Sequence, residues 1–156
     1  MSKNSDLITI DTEIVLPYAR EVFYYETDQM GIVHHSNYIK WIEEARLDLL
    51  RQIGLPYDKM EDEGILIPVL EVSCHYKLAF RYGDRFSISS KIEKLGKMKF
   101  SLEYEIFHVE TGMLHATAKS EHCFVTNKMV PVRVQKEYPD IYRKFQLYSK
   151  DNLTNG

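Results

Sequence analysis

The segment "NYIKWIEEARLDLLRQIGLP", residues 37–56, is the one stretch of the chain with a clear helical period. Its apolar side chains fall on one face at 100° per residue, with Trp41 at the flank. They are Tyr38, Ile42, Ala45, Leu49 and Ile53. Gly54 followed by Pro56 is typical of the C-terminal end of a helix. A helix of about four and a half turns can lie across a whole sheet, so this segment predicts the element around which the fold is built.

Downstream of the helix the hydrophobic period changes to two. The run "VLEVSCHYKLAFR", residues 69–81, alternates apolar and polar side chains, which is typical of a long half-buried strand. Three further alternating runs follow, separated by the glycine-containing turns "YGD", "LGK" and "ETG". Short turns of this kind indicate antiparallel hairpins, here a meander of four strands. Another strand is predicted upstream, over residues 14–25, and a short helical piece in "VQKEYPDIYRKFQ".

These elements predict an α+β fold in which a long central helix is wrapped by an antiparallel sheet of about five strands. The chain of 156 residues has the length of one domain. We expect a single domain over residues 1–156, with a core from about residue 14 to 142 and frayed tails. A sheet with exposed edges also favours pairing between two copies of the chain.

Composition excludes several classes of protein. A net charge of −3 and a pI near 6.1 give no general attraction to nucleic acid. No apolar run approaches the roughly 18 residues of a membrane span, and the first residues, "MSKNSDLITIDTE", lack the features of a signal peptide. Cys74 and Cys123 have no metal-binding spacing and are predicted to be buried free thiols. We therefore expect a cytoplasmic protein without a membrane span.

The polar segment "FYYETDQMGIVHHSNY", residues 23–38, links the first predicted strand to the start of the helix. A helix N-terminus presents unpaired backbone N–H groups, which can polarise a carbonyl oxygen. Asp28 could supply a carboxylate that attacks this carbonyl or activates a water. D-x-x-G is also a common turn in which the aspartate only bonds its own backbone. His34 and His35 are adjacent and no further ligand is spaced for them, so no metal site is predicted.

The stretch "YYETDQMGIVHHSNYIKWIEEAR" resembles the signature of the hot-dog-fold acyl-CoA thioesterases of the 4-hydroxybenzoyl-CoA thioesterase family, in particular its YbgC-like branch. The predicted order of elements is similar to the hot-dog fold from residue 14 to about residue 142. The matching positions are Tyr24, Thr27, Asp28, Gly31, Val33, His35, Tyr38, Glu43 or Glu44, Ala45 and Arg46.

The resemblance implies a thioesterase that releases a free carboxylic acid and coenzyme A. Asp28 would be its nucleophile or general base, and the backbone N–H at His35 would polarise the thioester carbonyl, with the imidazole as a further aid. Tyr24 would line the same site. The resemblance also implies a homodimer or homotetramer with sites at the subunit interface. No metal or other cofactor is expected, since coenzyme A is part of the substrate.

Further residues are candidates for substrate binding. Gly31 in the loop and Tyr38 in the helix are two of them. Phosphates of coenzyme A favour Lys or Arg, and the cationic candidates are Arg81 and, in a lysine-rich turn, Lys97 and Lys99. Ordinary surface solvation is the competing interpretation of each lysine. Where relatives often have a proline and an alanine, this chain has Ala79 and Phe80. We expect the phenylalanine to reshape the acyl pocket or its rim.

Other functions share the fold. A hot-dog dehydratase or hydratase would place a histidine paired with an acid at the site, whereas Asp28 occupies the loop in the thioesterase manner. A non-catalytic acyl-thioester-binding protein would need no carboxylate. An acyl-carrier-protein thioesterase would use the same chemistry with a different docking surface. The acyl group and the choice between dimer and tetramer stay open at this stage.

Overall fold

The computed structural model of the chain describes residues 14–149. The predicted frayed tails, residues 1–6 and 150–156, lie outside this range. The strands are β1 (Tyr18–Glu21), β2 (Ile65–Leu66), β3 (Val69–Tyr76), β4 (Arg85–Leu95), β5 (Lys99–His108), β6 (Leu114–Cys123) and β7 (Val125–Thr126). The helices are α1 (Ser36–Gln52), α2 (Tyr57–Asp62), α3 (Val134–Glu137) and α4 (Pro139–Leu147), with a short 3₁₀ turn at Tyr24–Glu26.

The main sheet has five antiparallel strands in the order β1-β4-β5-β6-β3, and β2 pairs with β7 in a small separate sheet. The predicted α+β arrangement of one long helix on a five-stranded sheet is therefore confirmed. The predicted four-strand meander is wrong in one respect, because only β4, β5 and β6 are joined as successive hairpins. β3 lies beside β6, with Tyr76 opposite Ala116.

The chain leaves the sheet immediately after β3. The N–H groups of Lys77 and Leu78 both donate to the carbonyl of His115, at 2.9 and 3.0 Å. Phe80 then turns into the core, where it is fully buried. The "YGD" turn therefore leads across the end of the sheet to β4 on its other side, because burying Phe80 takes precedence over a local hairpin.

The predicted first strand is also shorter than the sequence pattern indicated. Pairing begins at Tyr18, directly after Pro17, which has no backbone N–H to donate to a ladder. It ends at Glu21, and the chain curls into the 3₁₀ turn, where the Glu26 N–H donates to the carbonyl of Phe23 at 3.0 Å. Aromatic residues in this segment thus form a turn rather than strand.

Helix α1 packs its predicted apolar face against the inner face of the sheet. The residues predicted on that face are all buried: Tyr38, Trp41, Ile42, Ala45, Leu49 and Ile53. The Trp41 ring stacks on Phe86 of β4 with centroids 4.0 Å apart. A large aliphatic side chain such as Ile42 or Leu49 contributes about 1.5–3 kcal/mol when removed from water, so this face fixes the position of α1 and of the segment that precedes it.

One edge of the sheet, formed by β3, stays open within residues 14–149. β3 is a terminal strand that pairs only with β6, and Val69, Leu70 and Tyr76 on it are each between 44 and 49% exposed.

Cys74 on this strand and Cys123 on β6 are free and half-buried. Among the described helices, none is both long and apolar enough to cross a membrane.

Candidate active site

The segment between the 3₁₀ turn and α1 folds into a tight hairpin-like loop. Thr27 and Val33 form a bridge pair, and inside it the Asp28 N–H donates to the carbonyl of Ile32 at 2.8 Å. The Gly31 N–H donates a hydrogen bond to the carbonyl of Asp28 at 2.9 Å. Gly31 has φ +77°, a left-handed conformation that glycine adopts without strain. The loop therefore holds the Asp28 backbone from both sides.

The carboxylate of the half-buried Asp28 is only partly used by this turn. Its Oδ1 accepts a hydrogen bond from the Met30 N–H at 2.9 Å, the contact expected of an aspartate in a turn. Its Oδ2 accepts no hydrogen bond from residues 14–149. The turn-forming role and a chemical role are thus compatible, because each needs a different oxygen.

The start of α1 presents one unused backbone donor. The N–H groups of Asn37 and Tyr38 donate to the carbonyls of His34 and His35 at 3.0 and 3.3 Å. The Ser36 N–H donates to His34 Nδ1 at 3.2 Å. The His35 N–H has no acceptor in the described part of the chain. An amide at this end of a helix carries part of the positive end of the helix dipole, so it can stabilise an oxyanion.

Contacts with His34 and Tyr76 hold His35, at the start of α1, against the sheet. The His35 imidazole stacks on that of His34, with centroids 4.2 Å apart. The Tyr76 hydroxyl of β3 donates to the His35 carbonyl at 3.2 Å. Tyr38 is only 3% exposed, and its ring packs against Tyr76 and Trp41. Burial raises the pKa of Tyr38 to about 12, and within one chain this predicted substrate-binding residue is a packing residue.

Arg81 and Tyr24 lie at the same end of the sheet as the loop. Arg81 forms a bridge pair with Ile32, and a Cβ on Gly31 would lie 3.8 Å from Arg81 Nη1. The Tyr24 ring is 74% exposed and meets Tyr82 edge-on, with centroids 5.6 Å apart. The structure thus brings Gly31 and Arg81 together and places Tyr24 beside the residue that follows Arg81.

Lys97 and Lys99 lie at the opposite end of the sheet. They belong to the hairpin between β4 and β5, whereas Arg81 precedes the other end of β4. The whole of β4 lies between them along the chain, roughly 35 Å of strand at about 3.3 Å per residue. Lys99 lines an open groove of about 410 Å³ on the outer face of the sheet. A single chain therefore does not bring these two lysines to the Asp28 loop.

Phe80 lies in the core rather than at a rim. Its ring packs between Trp41, at 5.6 Å, and the buried His115, at 4.3 Å. The Val33 N–H donates to the Phe80 carbonyl at 2.9 Å, so its backbone supports the loop. Its ring centroid is 6.3 Å from that of Tyr38, so a change at Phe80 would reach the start of α1 through core packing.

Sequence reasoning missed the role of Glu26, two residues before Asp28. Its side chain is buried and accepts hydrogen bonds from Arg20, at 2.8 and 3.1 Å, from the Phe23 N–H and from Trp41 Nε1, each at 2.8 Å. A buried polar group with satisfied partners is expected from physical chemistry. Two of the partners, Arg20 and Trp41, come from β1 and α1, however, and their proximity to Glu26 cannot be read from spacing along the chain.

Several known proteins with similar sequence or structure are named thioesterases or esterases. Residues 22–144 match the family described as the thioesterase-like superfamily. The chain is 39% identical over 126 residues to an Aquifex aeolicus (strain VF5) protein provisionally named an esterase, covering 81% of this chain and 96% of that protein. It is 35% identical over 131 residues to Bacillus subtilis (strain 168) YneP, provisionally named an acyl-CoA thioesterase, covering 83% and 94%. It superposes on a DHNA-CoA thioesterase of Staphylococcus aureus with a TM-score of 0.81 and 33% identity, covering 90% and 92%.

Proposed function

Because the chain belongs to the thioesterase-like superfamily, we propose that it hydrolyses acyl-CoA thioesters with Asp28 as the catalytic carboxylate. The same membership confirms the predicted relationship to hot-dog thioesterases and the enzyme class, a thioester hydrolase.

One observation carries it. The Oδ2 atom of Asp28 and the N–H of His35 are both without a hydrogen-bond partner among residues 14–149, in a loop and a helix start that are otherwise held by backbone hydrogen bonds. Hydrolysis of a thioester needs these two groups, a base or nucleophile and an oxyanion donor. A loop used only as a turn would need neither.

The reaction can follow one of two routes at Asp28. As general base, the carboxylate takes a proton from water while the water oxygen attacks the carbonyl carbon. As nucleophile, it bonds to that carbon itself and forms an anhydride, which a water then hydrolyses. In both routes the His35 N–H donates to the carbonyl oxygen as it becomes negative, the C–S bond breaks, and the coenzyme A thiolate leaves and takes up a proton. Neither route uses a further cofactor.

The proposal includes a homo-oligomer. The open edge of β3 carries exposed Val69, Leu70 and Tyr76, and on α1 the side chains of Ile39 and Leu47 are each 43% exposed. A second copy paired along β3 would cover such apolar surface and continue the ladder. It would also reach the site, because Tyr76 on this edge bonds to His35. The lysines at the far end of the sheet could then serve the site of another subunit.

A panel of thioesters tests the proposed function. Acyl-CoA substrates that vary in chain length and aromaticity, with the same acyl groups on an acyl carrier protein, are incubated with the purified protein, and the released thiol is followed. We include aromatic acyl groups because the S. aureus structural neighbour is named a DHNA-CoA thioesterase. We expect turnover of at least one acyl-CoA.

Activity on carrier-protein thioesters alone would assign the enzyme to that alternative substrate class. Absence of hydrolysis across both carriers would overturn the proposal.

A further inference from the structure

We propose that Glu26 is a positioning residue, whose buried side chain holds the Asp28 loop and the start of α1 in one fixed arrangement. The inference rests on the proposed roles of Asp28 and His35 and goes beyond them, because Glu26 itself would contact neither substrate nor water. It is based on two sets of contacts, one from the side chain and one from the backbone carbonyl.

The side chain of Glu26 joins its own 3₁₀ turn to two other elements, β1 and α1. Oε2 accepts from Trp41 Nε1 at 2.8 Å, on α1, and from Arg20 Nη2 at 2.8 Å, on β1. Oε1 accepts from the Phe23 N–H at 2.8 Å. Trp41 is itself immobilised by its stack on Phe86. The carboxylate is therefore tied to a ring that is fully buried in the core.

The backbone carbonyl of Glu26 reaches the other side of the loop. It accepts hydrogen bonds from the His34 N–H and from Asn37 Nδ2, each at 2.9 Å. His34 immediately precedes His35, whose N–H is the proposed oxyanion donor, and Asp28 follows Glu26 by two residues. A shift of Glu26 would therefore alter the local turn, and with it the distance between the Asp28 carboxylate and the His35 N–H.

The charge balance shows that the Glu26 carboxylate is stable in its buried position. Burial alone would raise the pKa of Glu26, but the hydrogen bonds from Arg20, Phe23 and Trp41 outweigh it and leave the pKa below its ordinary value. Arg20 has a second partner, since its Nε donates to Glu44 Oε1 at 2.8 Å. Removing the Glu26 charge would thus leave Arg20 paired, which favours folding of a neutral variant.

Glu26→Gln tests the inference, with Glu44→Gln as its matched control. Both changes neutralise a partner of Arg20, but Glu44 has no hydrogen bond to the loop. Steady-state kinetics would be measured on the best acyl-CoA substrate, at a temperature well below the midpoint of unfolding of each variant. Hydrogen–deuterium exchange of peptides covering residues 27–35 would be measured in parallel, without substrate.

We expect Glu26→Gln to lower kcat at least about tenfold with KM within about twofold, since small displacements of catalytic groups are costly in rate. Exchange in residues 27–35 should be at least about fivefold faster. Glu44→Gln should change kcat less than about twofold and leave this exchange unchanged. A kcat and an exchange rate that match those of Glu44→Gln would overturn the positioning role.

The exchange measurement separates this inference from the proposed function. If the wild type hydrolysed no thioester, the proposed function would fail, and exchange alone would still decide whether Glu26 holds the loop. If Glu26→Gln did not fold, Asn37→Ser would take its place, because it removes the Nδ2 donor that bonds to the Glu26 carbonyl at 2.9 Å and to the His34 carbonyl at 3.3 Å, and leaves the Glu26 side chain intact. One hydrogen bond of about 0.5–1.5 kcal/mol corresponds to about a two- to twelvefold loss of kcat; an unchanged kcat and unchanged exchange would overturn the inference.

Discussion

Replacing Asp28 by asparagine separates its structural role from its chemical one. The asparagine side chain would be as large as the original and would still present Oδ1 to the Met30 N–H, now 2.9 Å from the carboxylate. The remaining contacts of residue 28 are made by its backbone, to Ile32 and Gly31, and are unaffected. Only the extra strength of a hydrogen bond to a charged acceptor is lost, about 1 kcal/mol. The variant should therefore fold.

The expected effect on catalysis is larger. If the Oδ2 atom of Asp28 is the nucleophile or the general base, its loss should lower kcat at least about a hundredfold, which corresponds to about 2.7 kcal/mol of transition-state stabilisation. KM should change little, because the His35 donor and the surrounding rings stay in place. Thiol release with the wild type's best substrate measures both constants, and circular dichroism checks the fold.

The two roles of Asp28 therefore give different results. A folded Asp28→Asn enzyme with near-normal kcat would refute the catalytic role and leave Asp28 as a turn former. Fold and family would then be shared with thioesterases while the mechanism would need another carboxylate.

Three further outcomes are expected. Light scattering at micromolar concentration should give at least twice the chain mass of 18.4 kDa, and an active monomer would contradict the proposed pairing along β3. Lys97→Glu combined with Lys99→Glu should raise KM for acyl-CoA about three- to tenfold and barely affect a short thioester without the nucleotide; equal effects on both would assign the lysines to folding. Burial, with the nearby Arg46 charge, lowers the pKa of the fully buried His122 from 6.5 to about 4. The stability that depends on neutral His122 is therefore present above pH 6.5 and lost as the pH falls toward 4. In urea unfolding, His122→Gln should flatten this fall in the free energy of unfolding, and an unchanged fall would exclude His122 as its cause.

The predictions that held were those carried by local periodicity. Helix α1 was predicted from the spacing of Tyr38, Ile42 and Leu49, and all three are buried against the sheet. The alternation in β4, β5 and β6 likewise separates inner from outer side chains as predicted. These patterns are readable because the period of burial is set by backbone geometry within a few residues.

Only part of the candidate site could be predicted from the sequence. A family signature drew attention to Asp28 and His35, and the structure places one in a hairpin-like loop and the other at the helix start. The sequence grouped Lys97 and Lys99 with Arg81 only by charge, and the structure puts them at opposite ends of β4. Charge alone carries no information about position along a strand.

The sequence by itself thus determined the type of most elements, the apolar face of α1 and the family of the protein. Only the tertiary structure decided that β3 lies beside β6, that Phe80 enters the core, and that Glu26 meets Arg20 and Trp41. The Glu26–Trp41 hydrogen bond spans 15 positions along the chain and the Arg20–Glu44 ion pair spans 24. Contacts at such separations depend on how whole elements pack, because no backbone period relates the residues that form them.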